Sequence, residues 1–225
     1  MNSVLMDIIM KTTRTYDMRG RAAEADRTRA RILDATVALA GEVPLAACTL
    51  PAIADRAGVS VQTVLRAYGS RDGLFAAATT RGREQVVAQR ETPVGDADAA
   101  LEVLAGHYEA WGGTMLLLLA QESWEPVAAE ITASGRMLHR DWVRDVFAPA
   151  LEQLAASDRD EAVDLLVAAT DLYTWKLMRR DRGLDRAATI GRMRRLVASV
   201  LASIDAPASS EPATRGPSTR EWGRP

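Results

Sequence analysis

The chain has 225 residues, 48% of them hydrophobic and 26% charged, with a formal net charge of −2. That is the balance of a globular protein long enough for one large core or two small ones. The single Cys48 excludes an intrachain disulfide and a thiolate cluster, and His107 and His139 are the only histidines, so neither a metal site nor a cofactor is expected. The longest uninterrupted apolar run, residues 115–120, is far short of the roughly 18 residues that span a bilayer. No signal peptide is evident, which leads to the expectation of a cytoplasmic protein with no membrane partner.

Abundant Ala, Leu and Arg with little β-branched alternation predict an all-α fold. The charge is unevenly spread: residues 1–90 carry 13 Lys and Arg against 9 Asp and Glu, and residues 91–225 carry 15 against 21. A basic first part and an acidic remainder fit a nucleic-acid partner better than the net charge does, although a modest excess also fits a solvated face.

Residues 1–17 show no clear periodicity and no caps, so residues 1–22 are expected to form a flexible N-terminal arm. Met18, directly before Arg19-Gly20-Arg21, is a second candidate for the natural start. Arg19 and Arg21 on such an arm either reach a DNA groove or are simply solvated. Asp26 is placed to cap a helix whose Ile32, Leu33, Thr36, Val37 and Ala40 form an apolar stripe ended by Gly41. Arg27, Arg29 and Arg31 crowd its first half, and Arg29 is the candidate there for a phosphate contact.

Residues 49–70, TLPAIADRAGVSVQTVLRAYGS, have the pattern of two short helices locked across a tight turn. Thr49 can cap the first helix, and Pro51 falls in its first turn, where the N–H it lacks has no intrahelical partner anyway. Ile53, Ala54 and Ala57 share one face, with Ala54 small enough for close approach. Gly58 stands where a helix ends in a left-handed residue. Ser60 caps the second helix, which turns Val64 and Ala67 inward and Val61, Gln62, Thr63, Leu65 and Arg66 outward. An amide, a guanidinium, a hydroxyl and small apolar groups on one exposed face suit base edges and phosphates of a major groove. Ser70 opens a further helix, to about residue 90, whose N-terminus with Arg71 is a candidate phosphate site.

The run Ala57-Gly58-Val59-Ser60, then Thr63, Tyr68 and Ser70-Arg71-Asp72, resembles the DNA-binding domain of the TetR-type transcriptional regulators. Leu65 and Ala67 depart from that pattern, since the family often has Tyr and an aromatic or His there. The resemblance implies an N-terminal three-helix DNA-binding domain, a connecting helix that couples tilt to the recognition helix, and a C-terminal helical domain for ligand binding and dimerisation.

Beyond the helix-turn-helix, the Pro- and Gly-containing stretch 91–98 marks a boundary, giving a DNA-binding unit at 23–90 and a second helical unit at 96–205. Within the second, periodicity predicts a helix to Trp111 stopped by Gly112-Gly113, and a short apolar helix from Thr114. A helix then opens at Pro126 and bends near Gly135, followed by one from Asp158 to about Arg180 and one from about 186 to 205. Tyr108, Trp111, Met115, Trp124, His139, Trp142, Phe147 and Tyr173 are candidates for an apolar effector cavity, with core packing the plainer reading. The last two helices carry Leu166, Tyr173 and Leu177, then Ile190, Met193, Val197, Val200 and Ile204. These stripes either close a monomer core or, as the resemblance implies, pair with a second subunit. Residues 206–225, rich in Pro, Ser, Gly and Thr, are expected to be disordered.

No nucleophile elbow, phosphate-binding glycine loop or paired catalytic carboxylates appear, so an enzyme is not expected. The expected function is a homodimeric DNA-binding regulator, a repressor of a palindromic operator released by a small hydrophobic or aromatic effector. The rival is a helical protein-interaction scaffold without specific DNA binding. Gln62 and Arg66 discriminate the two: changing either to Ala is expected to weaken preference for a specific site by about 1–3 kcal/mol in a competition binding assay. An unchanged preference in both variants would favour the scaffold.

Overall fold

The computed structural model describes the backbone of residues 2–205 and the side chains of residues 20–203 apart from Ser157. The expected disordered tail and the Ile204 side chain therefore lie outside the described residues. Within them the chain is helical throughout, without a strand. In order come α1 (Asn2–Ala40), a 3-10 turn (Leu45–Ala47), α2 (Leu50–Ala57), α3 (Val61–Tyr68), α4 (Arg71–Gln89), α5 (Ala97–Leu119), α6 (Pro126–Val146), α7 (Ala148–Leu151), α8 (Ala156–Thr170), α9 (Leu172–Lys176), a π-turn (Leu177–Asp181) and α10 (Arg186–Asp205). The expected arm at residues 1–22 is corrected at its start: α1 begins at Asn2 and runs without a break into the helix that carries the apolar stripe. Once a helix is nucleated each added residue gains a hydrogen bond, and no proline interrupts this segment.

Two apolar cores organise the packing. Ile32 and Ala35 of α1, Leu45, Cys48, Ile53, Ala54, Val64, Leu74 and Phe75 form the first. Gly58, at φ 66° and ψ 39°, ends α2 in the left-handed region, and the Val59 N–H donates back to Ala54 O at 2.9 Å. A side chain at that φ would be strained, so the turn between α2 and α3 depends on glycine. Leu118 and Ala128, from α5 and the start of α6, belong to this first core as well. The loop at 91–96 thus separates α4 from α5 without separating the cores.

The second core gathers Leu101, Leu104 and Tyr108 of α5, Trp142, Val143 and Val146 of α6, Leu166 of α8, Trp175 of α9, and Ile190, Met193 and Val197 of α10. Two expectations are corrected here. Gly112-Gly113 does not stop a helix: α5 passes straight through both. The glycines let other elements come close, since a Cβ on Gly112 would lie 3.0 Å from the Trp175 ring and one on Gly113 would lie 3.4 Å from the Arg180 guanidinium.

The expected helix from Asp158 to Arg180 is instead broken at Asp171, whose backbone is extended at ψ 152° and whose carboxylate accepts the Tyr173 N–H at 2.7 Å, capping α9. The break takes the Thr170 carbonyl out of the helical ladder, and the buried Tyr108 hydroxyl donates to it at 2.9 Å. Asp171 competes with the helix because its short side chain satisfies the backbone locally.

Replacing Gly112 by Val is expected to destabilise the protein by about 1–3 kcal/mol, because a larger side chain displaces Trp175. Gly106→Ala on the same helix, where a Cβ meets nothing within 4 Å, is expected to gain up to about 1 kcal/mol. Chemical denaturation of the two variants measures both.

Candidate functional site

The first candidate surface is the outer face of α2 and α3. Thr49 Oγ1 accepts the Ala52 N–H at 3.3 Å, and Ser60 Oγ accepts the Thr63 N–H at 3.2 Å and shares a 2.9 Å hydrogen bond with the Thr63 hydroxyl. Both caps form as the sequence implies. Val64 is fully buried, while Gln62 and Arg66 stand exposed on α3 with no hydrogen bond or ion pair to the described residues. Val61, Thr63 and Leu65 flank them, half-buried, and Val61 packs on the first core.

The Tyr68 hydroxyl donates to Arg29 O at 2.8 Å, tying the end of α3 to α1 and leaving the Arg29 side chain exposed. Partial burial pushes the Tyr68 hydroxyl pKa up, so it remains a donor. Arg71 is placed differently from the rest of the expected set. Its guanidinium donates to Leu45 O at 2.9 Å and lies over the Phe75 ring at 4.4 Å, so it pins the 3-10 turn to α4. Arg56, exposed on α2, is held by Glu42 through two 2.6 Å bonds.

A two-helix corner with a left-handed glycine, capped recognition helix and free amide and guanidinium is the geometry of a DNA-reading module. Residues 32–78 match the family described as bacterial regulatory proteins, tetR family. These residues are a TetR-family DNA-binding domain. The DNA-binding part of the chain is accordingly of the TetR type. Among solved structures, a transcriptional regulator from Rhodococcus sp. Rha1 is similar in fold, with a TM-score of 0.60 and 19% identity over 80% of this chain and 98% of that one. No curated protein matches the sequence.

The second candidate site is a cavity of about 470 Å³ between the TetR-type domain and the helices behind it. It is walled by α1, α4, α5, α6 and the α8–α9 break, and touches Thr36 of α1 and Leu45 and Phe75 of the first core. Of the expected lining, Tyr108, Trp111, Met115, His139 and Tyr173 are there. Trp111 donates its indole N–H to Gln89 Oε1 at 2.8 Å, joining α5 to the end of α4.

Three expected lining residues are elsewhere. Trp124 lies in the turn before α6, 70% exposed, because that turn projects beyond the packed layers. Trp142 and Phe147 are buried in the second core and do not line the cavity. The expected dimer stripe needs a similar correction: Leu166, Ile190, Met193 and Val197 are buried within the chain's own core, with Val200 packed against them. An amphipathic stripe looks the same in sequence whether its own chain or a partner covers it. Among the described members of that set, Tyr173 and Leu177 alone are more than half exposed.

A polar relay missed by sequence reading borders the cavity. Arg90, the C-cap residue of α4, is 8% exposed, and its guanidinium donates to His139 Nδ1 at 2.7 Å while lying over the Trp142 ring at 4.7 Å. Arg has no acceptor, so His139 Nδ1 is the lone pair and Nε2 carries the proton, donating to Thr170 Oγ1 at 3.1 Å. The Thr170 hydroxyl passes its own proton to Leu166 O at 2.7 Å. Burial, then the neighbouring Arg90, push the His139 pKa down to about 3 and that of His107 to about 4. Both imidazoles are neutral at physiological pH. Nothing in the local sequence distinguishes Arg90 from a solvated arginine at a helix end.

Because both histidines have folded pKa values below the ordinary value near 6.5, the unfolded chain takes up their protons first on acidification. The stability they support is therefore complete above about pH 6.5 and is lost as pH falls toward 4 and 3. Comparing wild type with His139→Gln, which keeps an acceptor for Arg90, isolates one of them. Wild type is expected to lose about 2 kcal/mol more than the variant between pH 7 and pH 5 in urea unfolding.

Proposed function

We propose that the protein is a homodimeric repressor that reads a palindromic operator through Thr49 and the segment Ser60 to Arg66, with Arg29 on the phosphates, and that a small apolar molecule in the cavity releases it. The observation that carries this reading is the pair Gln62 and Arg66, exposed and unengaged on the recognition helix of a TetR-type domain. In the free protein these two groups are solvated, whereas in a major groove guanine O6 and N7 can accept from Arg66, and adenine can offer Gln62 its N7 acceptor and N6 donor. The similar Rhodococcus sp. Rha1 protein is described as a transcriptional regulator, which accords with it.

The dimer reading rests on the outward faces of α8 and α10, which pack side by side. Leu165 is 44% exposed and Leu196 41%, with exposed Ala168 one turn on from Leu165. Two such faces from two subunits form a four-helix seam and fix the spacing of two recognition helices. The cavity supports effector control because α4 forms part of its wall and leads directly back to α3. A ligand that prefers one tilt of α4 shifts operator affinity by the free energy of that preference and no more.

Binding to DNA flanking the protein's own gene, compared with shuffled DNA across a salt series, tests the reading. Expected is a protected palindrome whose affinity survives near-physiological salt, and a Leu165→Glu, Leu196→Glu double variant that sediments as a monomer and loses that protection. Equal, weak binding to both DNAs that collapses with salt, repeated in a random-sequence selection, would leave only electrostatic attraction.

A further inference from the structure

We propose that the cavity takes an apolar monocarboxylate: an organic acid with a hydrophobic body whose single negative charge is received by Arg90. This deepens, and rests on, the reading of the cavity as an effector site. Arg90 is a buried cation whose contacts are all neutral: the lone pair of His139 Nδ1 and the face of Trp142. No carboxylate among the described residues pairs with it, and its Nε is buried without a hydrogen-bond partner. A guanidinium does not shed its proton, so the charge stays. Isolated charges are costly to bury, and those kept in clefts mark the places where an opposite charge arrives.

The surroundings define what that partner is. Four arginines line the cavity, and two of them are already satisfied, Arg136 by Glu122 at 2.9 Å and Arg140 by Asp164 and Asp160. Arg83 is exposed, leaving Arg90 as the buried cation that lacks an anion. The one acidic residue in the lining, Asp171, is occupied as the cap of α9. His107 Nδ1, also in the lining, is a second buried polar atom with no partner, available as a neutral donor beside the charge. The buried part of the cavity therefore offers one positive charge and neutral hydrogen-bonding groups, which suits one carboxylate.

The rest of the wall is apolar, including Val86, Met115, Leu118, Leu119 and Leu138, and the volume suits a small organic molecule. In such a low-dielectric setting a carboxylate on the guanidinium is a strong, charge-assisted contact, whereas an amide or alcohol leaves the arginine as it was. A cationic ligand is repelled by Arg90. Since Arg90 is the residue that closes α4, the acid's head group grips the end of the helix that begins just after α3.

The test is binding to the full chain, without DNA, of 2-naphthoate, decanoate and 4-phenylbutyrate, each against its primary amide, by calorimetry. At least one acid is expected to bind wild type about tenfold or more tighter than its amide, the scale of one charge-assisted contact. Arg90→Met is expected to erase that preference while leaving amide binding in place. Arg90→Gln, which keeps a donor for His139 but no charge, is carried alongside so that the result does not depend on one variant folding. Equal affinity for acid and amide in wild type, a preference that persists in both variants, or no binding of any acid at millimolar concentration each overturns the proposal. An acid that binds through Arg90 yet leaves the operator complex intact upholds the ligand class and defeats the effector reading instead.

Discussion

The continuity of α5 through Gly112 and Gly113 is the constraint on which the rest of the molecule depends. Its first half supplies Leu101, Leu104 and Tyr108 to the second core, and its last turn supplies Leu118 to the first. That requires the helix to continue where the Trp175 ring lies against its backbone, and a Cβ at Gly112, 3.0 Å from that ring, would force the ring to give way. Just beyond the helix, Gln121 accepts the Leu45 N–H at 2.9 Å and donates to Leu117 O at 2.7 Å, so the loop before α2 is hydrogen-bonded to the end of α5. Arg71 fixes the other side of the same loop through Leu45 O. A three-residue turn is thus clamped between the two halves of the chain.

The cavity exists because the helices that diverge from this junction do not refill it. Its polar edge is built from groups that each solve a local problem: Tyr108 satisfies the carbonyl freed by the Asp171 break, and Thr170 takes the proton of His139. Arg90 is the exception, since its contacts orient it without neutralising it. A buried network normally rigidifies a fold when it is complete. Here Tyr108, Thr170 and His139 are satisfied while Arg90 Nε and His107 Nδ1 are not, which places an unneutralised charge in the wall of the cavity.

Much of the DNA-binding half was legible because its signals are local. Thr49, Gly58 and Ser60 act on their own backbone neighbours, so caps and turn follow from residue type, and Val64 follows from spacing. What was not legible is set by distant partners. Gly112-Gly113 reads as a stop unless Trp175 is known to lie against it, and Asp171 reads as a mid-helix residue unless Tyr108 is known to take the carbonyl it frees. The stripes of α8 and α10 read as apolar faces in the sequence, but Leu166, Met193 and Val197 point into their own chain, while Leu165 and Leu196 face out. Arg90 is not legible as a buried residue because its burial depends on α6, distant in sequence, bringing His139 and Trp142 against it. Residues 2–22 were misjudged for a simpler reason: the absence of a cap does not prevent a helix from extending backward out of a well-formed one.

The shared first core also bears on how such a molecule can change over time. Leu118 and Ala128 lie on the far side of the 91–96 loop in sequence, yet they help to close the core beneath the recognition helix. Exchange of the part beyond this loop for that of another protein would remove two members of the first core and the Gln121 amide that holds Leu45. A cut at this loop therefore does not yield two independent modules. The residues of α5 and α6 that face Leu45 and Phe75 are bound to vary in concert with the DNA-reading helices rather than with the rest of their own half.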